Sequence, residues 1–229
     1  MKTSIVTSDV EHSDVEHSDV ENSEKVRVLS IDIGIVNLAL CITEFDIENH
    51  EFDLVYVEKT SIGTMKHTCQ VLAVALIDYM KSSPEINEKP LDYILIENQI
   101  SRSIKNTVLG YACYSYFYTS SQLKDDGSEV RFISPRNKFK AIDSFFPGIL
   151  DRYETDHTKA YSKDLKKLSV EIAKDVFEEL NVTKGLEAMK TFKKKDDVSD
   201  VYLQSFGIFL DQNKNSGNPI GKGKRRRRR

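Results

Sequence analysis

VRVLSIDIGIVNLALCITEFDIENHEFDLVYVEKT, residues 26–60, decides the fold. Three β-rich apolar runs, 26–33, 37–45 and 52–60, are separated by polar turns. Runs of this length bounded by turn residues predict a β-meander of three antiparallel strands. Everything C-terminal to it changes period. Residues 64–81 carry apolar side chains at helical spacing. Pro84 and Pro90 bracket a loop, and LDYILIE, 91–97, is a continuous apolar run ending in a carboxylate, as a central parallel strand would be.

Residues 103–121 predict a helix rich in small and aromatic side chains, and EVRFISP, 129–135, a fifth strand closed by proline. Helices are expected over 136–146, over 161–180 with Ser162 as N-cap, and over 196–211. The order βββ-α-β-α-β-α-α-α predicts an α/β fold with a mixed five-stranded sheet flanked by helices.

Three carboxylate positions interrupt this apolar pattern. Asp32 lies inside VLSIDIGIVNLAL, where a charge is costly unless paired or bound to a cation. Gly34 follows it and permits a close backbone approach or a sharp turn. Asp32 alone admits a structural or a functional reading, and D-x-G strings also open phosphate-binding folds. Glu97 ends YILIE, at the strand edge where open α/β sheets bind ligands, although a solvated strand end reads the same way.

The third position is KKKDDVSD, 193–200. On a helix, Asp197/Asp200 and Asp196/Asp200 are i,i+3 and i,i+4 neighbours, with Cβ atoms roughly 5–6 Å apart. Acids in a first turn favour the helix dipole, which accounts for one or two of them. The third lies beside an apolar stripe of Val198, Val201, Tyr202, Ser205 and Phe209. A cluster drawn from two strands and a helix repels itself, and hard divalent cations relieve the repulsion. Mg²⁺ takes oxygen ligands and shares them with phosphates. Two ions about 3.5–4 Å apart suit phosphodiester cleavage.

SIDIG, ILIENQISRS and KKKDDVSD, in that order and spacing, resemble the RuvC-like Holliday junction resolvases. The branch most similar is that of poxviruses and iridoviruses, with fungal mitochondrial resolvases as relatives. The similarity covers about residues 26–210, as judged by where these motifs fall. The paired acids after a lysine run are its most specific element, the E-x-Q-x-x-R-S string is next, and SIDIG is common to a wider superfamily.

The resemblance implies an RNase H-like fold and a homodimer that nicks opposed strands of four-way DNA junctions with Mg²⁺ or Mn²⁺, two ions per site and no small-molecule cofactor. It implies that Asp32 is the first-strand ligand, Glu97 the bridging carboxylate, and Asp197 and Asp200 the helix acids. Asp196 is an adjacent candidate, and the sequence leaves open which of the pair Asp196/Asp197 binds metal. Gln99, Arg102 and Ser103 follow Glu97 within reach of DNA strands.

A phosphodiesterase must also hold a polyanion. Residues 131–195 carry fifteen Lys and Arg against ten Asp and Glu. Arg131, Arg136, Lys138 and Lys140 flank the fifth strand and its following helix, and Lys193, Lys194 and Lys195 abut the acids. Such groups neutralise phosphates and make binding salt-sensitive, whereas any single lysine also reads as part of a solvated face. The aromatics of YACYSYFY, 111–118, read as core or dimer interface, or as base-stacking platforms.

Outside this region lie two tails. Residues 1–24 hold the repeat SDVEH-SDVEH-SDVEN, with seven acids against one lysine, and are expected to be disordered. Each repeat sets an acid three residues after a serine, an acidophilic kinase pattern. Residues 213–229 form a second expected disordered tail, whose last eight residues carry seven positive charges. It reads as nucleic-acid affinity or a nuclear signal, or as a partner for the acidic tail. The folded domain is expected over 25–212.

No stretch approaches the roughly 20 apolar residues of a membrane helix. The acidic N-terminus lacks secretory and mitochondrial signals. Three cysteines without a CxxC pair suggest reduced thiols and no structural zinc. The expected setting is intracellular, a cytoplasmic viral factory or a nucleus, on the resemblance and the basic tail.

The expected function is a metal-dependent junction-resolving endonuclease. Its rivals are an RNase H-like nuclease for another substrate, such as RNA–DNA hybrids, and a non-catalytic DNA-binding or packaging protein. A sugar-kinase-like ATPase shares D-x-G but is usually much longer and needs phosphate loops that the sequence lacks.

Overall fold

A computed structural model describes residues 25–98, 103–124, 127–153 and 162–210. The two tails lie outside the described residues.

The meander forms as expected: β1 (Lys25–Asp32), β2 (Leu38–Asp46) and β3 (Glu51–Thr60) are antiparallel neighbours. Helix α1 (Cys69–Ser82) and a single turn, α2 (Pro84–Asn87), lead into β4 (Tyr93–Glu97). Helix α3 (Ile104–Lys124) then leads to β5 (Glu129–Ile133). The sheet order is β3-β2-β1-β4-β5, with β4 parallel to both neighbours. Helices α4 (Asn137–Phe145), α5 (Ser162–Glu179), α6 (Thr183–Thr191) and α7 (Lys195–Ser205) follow. A short 3-10 turn, Phe206–Leu210, continues α7.

Side-chain alternation sorts the strands onto two cores. Leu29, Ile31, Leu38, Leu40, Ile42, Ile94 and Ile96 pack with α1, α2 and α3. Val28, Ala39, Cys41, Leu95 and Ile133 pack with α4 to α7 on the other face. The order β1-β2-β3 reaches its far edge, then the chain crosses back to place β4 beside β1. That puts the C-terminal ends of β1 and β4 side by side, where the strand order reverses and α/β sheets open a crevice.

Several details depart from the sequence reading, among them the helical turn α2 inside the expected 84–90 loop and the end of α7 at Ser205 rather than 211. Helix α1 begins at Cys69 rather than 64, because Thr68 caps it by accepting from the Val71 N–H at 3.4 Å. Helix α6 has no counterpart among the expected elements. It is short and contains Gly185, whose missing Cβ makes room for the Phe177 ring; a Cβ there would stand 2.4 Å from it. Tertiary contact rather than propensity fixes this helix. The stripe expected on the last helix is instead a whole buried surface, since Val198, Ser199 and every residue from Val201 to Ser205 are buried. Helix α7 is the central helix of its layer, packed on the sheet and against α4, α5 and α6. Cys41, Cys69 and Cys113 are all free thiols.

Candidate active site

Strand register assembles the site. Asp32 stands opposite Ala39, and Ala39 opposite Lys59. Continuing the β1–β4 pairing of Ile31 with Ile96 by one residue sets Asp32 beside Glu97, which is itself level with Ile133. Directly opposed residues share a face. Lys59, Ala39, Asp32, Glu97 and Ile133 therefore form one row across the end of the sheet, on the face covered by α7. Gly34 lets the chain turn away at once: a Cβ there would stand 2.3 Å from the Asn37 carbonyl oxygen. Of the two roles open to this glycine, close backbone approach is the one found.

The first turn of α7 brings the third carboxylate group to the row. Its orientation depends on Gln204, further along the buried helix. The Gln204 side-chain amide donates to the Ile31 carbonyl at 3.3 Å and to the Leu95 carbonyl at 3.0 Å. These carbonyls lie on β1 and β4 just before Asp32 and Glu97, so one buried amide ties both carboxylate-bearing strands to α7. The only sequence signal for Gln204 is a polar residue inside an apolar run.

The carboxylates repel one another as a cluster does. Burial raises Asp32 to about 7, with further upward pushes from Asp200 and then Asp197. Burial likewise raises Glu97 to about 8, followed by the charges of Asp32 and Asp200. Lys138 and Lys166 oppose both shifts. Asp32, Glu97, Asp197 and Asp200 thus form one electrostatic unit.

Asp196 has a different partner. It pairs with Lys166 of α5, and although burial pushes it up, the Lys166 hydrogen bond and charge hold it below the ordinary aspartate value. The two members of the pair have different partners, Lys59 for Asp197 and Lys166 for Asp196, and only Asp197 is among the charges acting on Asp32.

Lysines complete the site. Lys138 is buried and ion-paired with Asp200, so it stands against the acids instead of on an open DNA-facing surface. Lys59 Nζ is 2.7 Å from Asp197 Oδ2, with both side chains largely covered. Register alone would have found Lys59, because it shares the row with Asp32, but register is not readable before the turns are placed. Arg136, Lys140, Lys193, Lys194 and Lys195 are exposed, the last three immediately before the acids of α7. Arg131 pairs with Glu129 instead. Ser103 accepts from the Asn106 N–H at 3.3 Å and so caps α3. Gln99 and Arg102 lie outside the described residues. Tyr111 and Tyr118 are exposed on α3, whereas Cys113 and Phe117 are core.

The donor set consists of carboxylate oxygens, which suits a hard divalent cation and not zinc. Two of these carboxyls are pushed toward neutrality by burial and mutual charge, a cost that a bound cation removes. Among the described residues, no three His, Cys, Asp or Glu side chains are gathered tightly enough to enclose an ion as they stand. Lys59 pairs with Asp197 and Lys138 with Asp200.

No protein-family model matches the chain, and no curated protein matches it. Solved structures do. The fowlpox virus resolvase, determined with Holliday junction DNA, is 16% identical, with a TM-score of 0.53 over 82% of this chain and 99% of that one. The yeast mitochondrial Holliday junction resolvase is 16% identical, with a TM-score of 0.57 over 83% and 84% of the two chains. This chain has the RuvC-like resolvase fold. T. thermophilus RuvC, in complex with a junction substrate, matches at 12% identity and a TM-score of 0.50, over 82% of this chain and 96% of that one.

Proposed function

We propose that this chain is a Holliday junction resolvase, a metal-dependent endonuclease that nicks opposed strands of four-way DNA junctions. The observation that carries the reading is the convergence of Asp32, Glu97, Asp197 and Asp200 at the paired ends of β1 and β4, on a fold whose solved relatives are junction resolvases.

Asp32, Glu97, Asp197 and Asp200 are the residues that would hold Mg²⁺ or Mn²⁺. Two such ions supply charge that stabilises the attacking and the leaving oxygen of the phosphodiester. The chain's own part is to hold that charge in place. Asp32 and Glu97 sit on rigid strands, and Gln204 fixes both to α7. Lys138 keeps Asp200 oriented from α4. Arg136, Lys140 and Lys193–Lys195 neutralise backbone phosphates around the cleft. Gln99 and Arg102, in the segment between β4 and α3, complete the DNA contact.

Two opposed nicks need two sites, and a homodimer supplies them. Ile104, Val108, Tyr111 and Tyr118 form an exposed apolar stripe at helical spacing along α3, which supports a second copy as partner. No helix among the described residues is long and apolar enough to cross a membrane. A DNA substrate implies a setting inside the cell, in a nucleus or a viral factory.

The test is metal-dependent cleavage by site variants. Purified wild-type protein should nick junction DNA in Mg²⁺ and not in EDTA. D32N, E97Q, D197N and D200N should each lose at least about 100-fold in rate, the scale on which removing a charge-stabilising group acts. D196N should retain most of it. Cleavage that survives D32N and E97Q together would overturn the assignment.

A further inference from the structure

Lys59 has no role in the reading above, yet its position is built with some care. It comes from β3, the edge strand, two strands away from Asp32. The residue between them in the row is Ala39, fully buried. A larger side chain at 39 would fill the space over β2. The small one lets α7 pack close to β2, within reach of the Lys59 ammonium. There it meets Asp197 Oδ2 at 2.7 Å, with 15% of the lysine side chain and 13% of the aspartate side chain exposed. That oxygen has no aligned hydrogen bond. Its ion-pair partner is the Lys59 ammonium, carried on a flexible stem that another cation can displace.

Resting on the resolvase reading, we infer that Lys59 is a displaceable internal counter-ion. It neutralises Asp197 in the metal-free protein, yields that carboxylate when a divalent ion binds, and then turns its ammonium to a phosphate of the DNA strand in the cleft. The exchange conserves charge. The protein enters with a lysine on Asp197 and ends with the ion on Asp197 and the lysine on phosphate. Metal and DNA therefore load cooperatively, since each makes the other's partner available. The edge position suits this role: no strand lies beyond β3, and a lysine stem changes rotamer without moving the sheet.

Calorimetric titration of Mn²⁺ into DNA-free protein tests this without any turnover. K59M keeps the length of the stem and removes the competitor. It should bind Mn²⁺ roughly three- to tenfold more tightly than wild type, the scale of one largely covered charge contact. Removing any nearby positive charge raises cation affinity somewhat, so K194M, at an exposed lysine whose charge acts on Asp196, is the control and should gain clearly less. K59R should match wild type.

Junction affinity is the second readout. K59M should lose about threefold or more in Ca²⁺, where Lys59 faces DNA, and little in EDTA, where it is tied to Asp197. K59Q serves in place of K59M if the latter does not fold.

A K59M affinity for Mn²⁺ equal to wild type, or a gain no larger than that of K194M, would overturn the inference while leaving the metal site standing. Absence of Mn²⁺ binding in every protein, wild type included, would overturn the metal reading and this inference with it.

Discussion

At the residue scale, the two strand carboxylates behave in the reverse of the usual surface pattern. Asp32 is raised from 3.8 to about 7 and Glu97 from 4.5 to about 8, with burial the largest cause of each. Between the unfolded and folded values, the folded state binds more protons than the unfolded one. Stability of the metal-free protein therefore falls as pH rises through that window, instead of rising as it does for a salt-bridged aspartate. The melting temperature without metal should drop between about pH 5 and pH 8, and Mg²⁺ should restore most of the loss at the upper end.

D32N removes one of the repelling groups and should stabilise the metal-free protein by on the order of 1–3 kcal/mol at pH 8 while removing Mg²⁺ rescue. A flat pH profile, or a destabilised D32N, would contradict the mutual repulsion of the cluster. Gly34 makes a second prediction at this scale. A Cβ at 2.3 Å from the Asn37 carbonyl forces the backbone to shift, so G34A should cost about 2 kcal/mol or more in denaturant unfolding and misplace Asp32.

At the scale of elements, register and the α7 anchor carry the site. The meander, the parallel β4 and the three acid positions are legible in the sequence because strands and turns leave local patterns. Asp32, Glu97 and the DDVSD helix stand out from their neighbours by residue type alone. Their grouping does not follow locally, because it depends on β1 and β4 being neighbours, a contact between residues some sixty positions apart. Lys59, Lys138 and Lys166 are not recognisable as partners of the acids for the same reason. Lysines in sequence carry no mark of which surface they face, and each of these is placed by a different element. Helix α6 is hidden because its glycine and weak cap argue against a helix locally, while the Phe177 ring packs against it globally.

Gln204 offers the sharpest test at this scale. Q204L keeps the volume but deletes donors to two buried carbonyls. It should cost roughly 1–3 kcal/mol in unfolding free energy. It should also reduce cleavage more than Mg²⁺ affinity, since the carboxylates remain but their spacing loosens. An active Q204L of normal stability would show that α7 is fixed by packing alone.

At the scale of the molecule, charge is arranged by zone. The sheet end gathers acids, and Arg136, Lys140 and Lys193–Lys195 are exposed to solvent. The chain's formal net charge of −3 hides this entirely. Junction affinity should fall steeply with salt. A triple K193A/K194A/K195A variant should flatten the log–log slope by as many as about three units, roughly one for each phosphate no longer neutralised, with little change in melting temperature. The acidic and basic ends are equally plain in the sequence, but their low complexity carries no packing pattern from which a position relative to the domain could be derived.

The most direct measurement is nicking of an end-labelled four-way junction by wild-type protein in Mg²⁺, beside a linear duplex of the same sequence and an RNA–DNA hybrid. Paired nicks on opposed strands of the junction, with the duplex and the hybrid left intact and all cleavage lost in D32N, are the predicted result. Binding of the junction without nicking, equal in wild type and D32N, would contradict the resolvase reading and leave a DNA-binding protein on this fold.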